Sequence, residues 1–130
     1  MGNRAVITTA PYSLNNTGIY VHWNGGRSSV EAFLKACKQL GYRSPESDPA
    51  YAMARLTQVI GTYFGGTLSL GIGPLKALDC DNGDNGVYLI GGDWGIVGRK
   101  HHGGFDVTDG PNEQIVADIM AKLADNAKEG

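Results

Sequence analysis

Cysteine is scarce in this chain: only Cys37 and Cys80 occur among 130 residues. Two thiols so far apart form neither a disulfide framework nor a paired-thiol metal motif, which excludes the small secreted scaffolds and the cysteine zinc modules. Long apolar runs are also missing. The opening MGNRAVITT has no signal-peptide core, and no stretch reaches the length of a membrane span. The expectation is a cytoplasmic protein with no membrane contact. No run of basic residues with interleaved aromatics occurs either, so direct nucleic-acid binding is not expected.

What is present is a globular composition, with 42% hydrophobic and 18% charged residues. The length fits a single domain over residues 1–130, whose core needs no metal or disulfide staple. Charge is divided unevenly. Residues 1–78 carry seven Lys or Arg against three acids, a net of +4. Residues 79–130 carry four against ten, a net of −6. The acidic carboxy-terminal half reads either as an ordinary solvated surface or as a face that steers basic partners toward itself.

The patterning predicts an α+β fold. RAVITT and GIYVHW are β-branched and aromatic runs flanking the turn-rich NNTG, which reads as a strand pair. Val30, Phe33, Leu34, Cys37 and Leu40 recur at helical spacing, predicting a helix from Ser29 to Leu40. Ser28 with Glu31 reads as its capping box and Gly41 as its stop. Asp48 followed by Pro49 starts a second helix, reaching about Phe64, with Met53, Leu56, Ile60 and Tyr63 as its apolar stripe. The period then changes to two. Leu68, Leu70 and Ile72, then VYLI at 87–90 and WGIV at 94–97, read as a three-stranded meander. Ile115, Val116, Ile119, Met120 and Leu123 define a last helix, with residues 125–130 frayed. The order ββααβββα places three helices on a mainly antiparallel sheet of about five strands.

Three stretches could carry chemistry. HWNGGR stands directly before the first helix. Trp23, Asn24, Gly25, Gly26 and Arg27 there could cradle an anion, because free amides and the helix dipole both favour a phosphate or carboxylate. Alternatively, Gly25 and Gly26 supply positive φ for a tight turn while Trp23 packs inward. The second stretch is DCDNGDNG, where Asp79, Asp81 and Asp84 lie in a turn-rich loop. Its spacing departs from the helix–loop–helix calcium pattern, so no metal is expected; the loop reads as an acidic hairpin turn or, where it carries function, as protein-facing. Asp93, in the Gly91-Gly92-Asp93 connection, is a fourth carboxylate of this acidic set. Third, adjacent His101 and His102 point apart on a strand and make a thin ligand set. His22 with Cys37 is a remote nucleophile–base pair, since Cys37 lies on an apolar stripe.

NRAVIT, YVHWNGG before SVEAFLKAC, GYRSPESD, ARLTQVIGTYFGG and LDCDNGDNGVYLIGGDWGIVGR together resemble a family of small proteins encoded in bacterial genomes and by phages and mobile elements. The resemblance spans most of residues 3–100 and attaches no catalytic residue. It implies a class, inhibitors of host defence of the anti-CRISPR type. The leading expectation is therefore a non-enzymatic protein that binds a protein partner, such as a host defence complex, without cofactor, through Asp79, Asp81, Asp84 and Asp93. The alternative is a small-ligand, nucleotide or anion-binding domain, with or without enzymatic activity, that uses the HWNGGR turn.

Overall fold

RAVITT and TGIYV pair as β1 (Ala5–Thr9) and β2 (Thr17–Val21), antiparallel and in register from Ala5 with Val21 to Thr8 with Gly18. The computed structural model describes residues 3–64, 70–101, 104–105 and 112–129. After β2 come α1 (Arg27–Gln39) and α2 (Pro49–Phe64), then β3 (Leu70–Pro74) and a 3₁₀ turn at Leu75–Ala77. β4 (Val87–Gly91), β5 (Gly95–His101), the two-residue β6 (Gly104–Phe105) and α3 (Glu113–Glu129) complete the order. This is the α+β architecture that the patterning implies: three helices and a mixed sheet of five longer strands with β6 at its margin.

Local chemistry sets the helix ends. Gly41 adopts φ +77°, and its N–H donates to the Lys38 carbonyl while that of Tyr42 donates to the Cys37 carbonyl. Those are the two bonds of a Schellman stop, which only a residue tolerant of positive φ permits cheaply. At the head of α2, Asp48 Oδ1 accepts the Tyr51 N–H at 3.2 Å, with Pro49 in the first helical position. The head of α1 differs from the capping-box expectation. The helix starts at Arg27, its N-cap is Gly26, and no side chain caps it. Ser28 Oγ instead accepts the N–H of Asn112 at 2.7 Å, and Asn112 Oδ1 in turn accepts the amides of Gln114 and Ile115. Ser28 thus steadies the cap of α3. Leu40, beyond the last turn of α1, is 61% exposed and outside the apolar stripe.

The strand order is β3-β2-β1-β4-β5-β6, with β1 and β4 parallel and the other pairings antiparallel. This corrects the meander. β4 and β5 form the expected hairpin, but β3 lies on the other flank against β2. The connection from 75 to 86 crosses one face of the sheet to bring β4 beside β1. Burial drives that route: Leu75 packs with Val6, Val87 and Leu89 on the face away from the helices, and Leu78 and Cys80 pack around them. The helices cover the opposite face, where Ile7, Ile19, Tyr88 and Ile90 meet Phe33, Leu34, Leu56, Ile60 and Leu123. β1 and β4 are covered on both sides, and every residue from Val87 to Ile90 is buried. In α3, Val116, Ile119 and Leu123 face inward while Ile115 is exposed.

Candidate functional site

The centre of the site is Arg4, one residue before β1. Strand alternation puts its side chain on the same face as Val6 and Thr8, away from the helices. There its Nε–H donates to Asp84 Oδ2 at 2.8 Å, and its backbone N–H donates to the same oxygen at 3.0 Å. Its Nη1 reaches Asp79 Oδ2 at 3.4 Å. The guanidinium beside Asp84 holds that carboxyl below the usual carboxylate range, first through the side-chain hydrogen bond and then through the backbone one. Asp84 is therefore engaged in the fold and only partly exposed.

Asn82 organises the loop from within. It is 3% exposed. Its Oδ1 accepts the N–H groups of Asp84, Asn85 and Gly86, and its Nδ2 donates to the carbonyls of Asp79 and Gly86. Asn85 fastens the loop outward: its N–H and its side-chain amide both donate to the Arg4 carbonyl, and the amide also meets Asn3 Oδ1. The buried Arg99 of β5 donates to the carbonyl and Oδ1 of Asn85 and lies 4.6 Å from the Tyr88 ring centroid. Within this rigid frame Asp79 and Asp81 remain exposed.

Residues 3 and 4 also join this loop to the HWNGGR turn. The Asn3 N–H donates to the His22 carbonyl, and the Gly25 N–H donates to the Asn3 carbonyl at 2.8 Å. Tyr20 Oη and His22 Nδ1 are 2.8 Å apart, and the Trp23 ring stands edge-on to His22 at 5.1 Å. Burial raises the Tyr20 phenol above its ordinary value, Arg4 opposes the shift, and Asp79 and Asp84 reinforce it. Two stretches some sixty residues apart in sequence thus form one acidic and aromatic face.

The turn itself differs from expectation in two respects. Positive φ falls on Asn24, at +60°, whereas Gly26 is extended with φ −68°. Gly25 is required for a different reason. A Cβ there would lie 2.5 Å from the Asn3 carbonyl oxygen and 2.7 Å from Ala5 Cβ. Trp23 does not pack inward; it is 44% exposed. The anion-cradle residues are turned to internal bonds: Asn24 Nδ2 reaches Ser29 Oγ and Tyr63 Oη, and Arg27 Nε lies 3.7 Å from Glu31.

Asp93 is not part of this face. It pairs with Lys38 at 3.4 Å, beyond the far end of β4, which separates it from the loop by roughly 16 Å. Cys37 lies in the helix-side core and His22 on the opposite face of the sheet, so they form no pair. Burial pushes the Cys37 thiol up to about 12, which leaves it protonated at neutral pH. His102 lies outside the described residues. Among the described residues no group of three or more His, Cys, Asp or Glu could hold a metal ion, and no helix is long and apolar enough to cross a membrane.

Arg4 and Asn82, which shape this candidate site, are absent from the expectations drawn from the sequence. An arginine before a strand carries no motif, and Asn82-Gly83 reads only as a turn. Compared with protein-family models, curated proteins and solved structures, the chain finds no match, so the case for this face rests on its own side chains.

Proposed function

We propose that the protein is a non-enzymatic binder that meets a basic surface of a protein partner with the face organised by Arg4. Asp79 and Asp81 are the carboxylates it presents, and the exposed Trp23 supplies an apolar edge beside them. One observation carries the reading: the loop is locked from inside by Asn82 and Arg4, yet it holds Asp79 and Asp81 in solvent. A loop already ordered avoids the entropic cost of ordering at the interface. Exposed charges act mainly on the rate of encounter. Asp84 serves the shape of the loop, and Asp93 lies elsewhere.

On the resemblance read from the sequence, the partner we propose is a component of a host defence complex such as a CRISPR effector. Expression of the chain in an immune host should restore phage plating, and the pair Asp79→Asn with Asp81→Asn should weaken that rescue without lowering thermal stability. A wild-type chain that leaves plating unchanged against every defence system of its host overturns the inhibitor reading. A double variant as active as the wild type moves the binding surface away from this loop.

A further inference from the structure

A second charged surface lies where α1 hands over to α2. Tyr42 and Arg43 follow the Schellman stop of α1, and Tyr51 and Arg55 are one turn apart on α2. The Arg43 guanidinium lies 4.1 Å from the Tyr51 ring centroid. That of Arg55 lies 5.1 Å from the same ring and 4.8 Å from Tyr42. The two tyrosine rings meet edge to face at 6.3 Å. The frame is fixed, because the Tyr42 backbone is bonded to the Cys37 carbonyl on one side and accepts the Trp94 indole N–H at 3.0 Å on the other.

The two arginines are not equivalent. Arg43 is met by Asp48 Oδ2 at 3.3 Å, which shows the seat occupied by a carboxylate. Arg55 meets the neutral Gln58 Oε1 at 3.0 Å, and among the described residues no carboxylate lies within ion-pair distance of it. A guanidinium is planar by delocalisation, and contact with aromatic rings restrains the orientation of that plane, which presents the paired donors that grip an oxyanion with two hydrogen bonds.

We propose that Arg55, braced on Tyr42 and Tyr51, is a docking point for a carboxylate of an acidic peptide segment. This surface is independent of the acidic face, so the protein carries one binding surface of each sign. The test uses the full chain and a fluorescein-labelled octaglutamate peptide, read by anisotropy at low salt and mapped by amide and arginine Nε–H chemical shifts. Wild type should bind with shifts centred on Arg55 and Tyr51. Arg55→Gln should weaken binding about tenfold, the weight of one charge-assisted contact. Gln58→Glu should weaken it by a similar factor, because it neutralises Arg55 within the chain and leaves the tyrosine stack in place. Two outcomes overturn the proposal: Gln58→Glu binding as wild type does, or shifts centred away from Arg55. A third does too: a single-stranded oligouridylate that binds more tightly with the same dependence on Arg55 would assign the surface to nucleic acid.

Discussion

Arg4 holds one carboxylate oxygen of Asp84 with two donors, its own backbone N–H at 3.0 Å and its side-chain Nε–H at 2.8 Å. The start of β1 and the loop before β4 are thereby joined at a single atom, some eighty residues apart in sequence. This contact has a pH signature. The carboxyl of Asp84 titrates lower in the folded chain than in the unfolded one. Its contribution is therefore complete above the ordinary carboxylate value and is lost as pH falls through the lower folded value. Urea midpoints should fall for wild type as pH drops below about 4, and Asp84→Asn should flatten that part of the curve. Parallel wild-type and variant curves would remove Asp84 from the account.

Asn82→Ala should cost about 3 kcal/mol, since it removes the buried acceptor of the Asp84, Asn85 and Gly86 N–H groups, although that of Asn85 keeps the Arg4 carbonyl. Asp81→Asn, at the preceding residue but in solvent, should stay within about 0.5 kcal/mol. Denaturant midpoints of the two variants check the contrast.

The neighbouring glycines of the turn should respond differently. Gly25→Ala forces a methyl against the Asn3 carbonyl and Ala5, and should destabilise by about 2 kcal/mol. Gly26 already has a φ that alanine adopts, and its nearest neighbour would be 3.5 Å away, so Gly26→Ala should be nearly neutral. Equal melting temperatures for the two variants would contradict the close approach seen at Gly25.

Ser28→Ala should cost about 1 kcal/mol, but at α3 rather than at its own helix. Hydrogen exchange separates the two. The amides of Asn112, Gln114 and Ile115 should exchange faster in the variant, while those of α1 should be unchanged.

Local rules made part of this fold readable. Gly41 stops α1 and Asp48-Pro49 starts α2 because caps depend on a few adjacent residues. The place of β3 was not readable, because it follows from which hydrophobic cluster Leu75 and Leu78 cover, a long-range choice. One hint existed: VYLI is apolar at every position, as a strand buried on both faces must be, whereas LGIGP alternates with glycine and lies outside β2. Trp23 misled because a large aromatic residue beside a strand reads as core, whereas here it stands exposed, edge-on to His22. Half of the site, its aspartates, stood in the sequence as a cluster. The arginine and asparagine that shape them carry no local mark.

The fixed posture of Asn82 also bears on how this molecule ages. Asparagine followed by glycine is the pair most prone to deamidation: the glycine nitrogen attacks the side-chain carbonyl carbon, ammonia leaves, and water opens the succinimide to aspartate or isoaspartate. The chain has three such pairs, at 24–25, 82–83 and 85–86. In each, the asparagine side chain is held by hydrogen bonds, and the nitrogens of Gly25 and Gly86 already donate elsewhere. Attack requires the side chain to swing onto the following amide, which these bonds oppose. The native fold therefore slows its own chemical clock, and that clock starts when the loop opens.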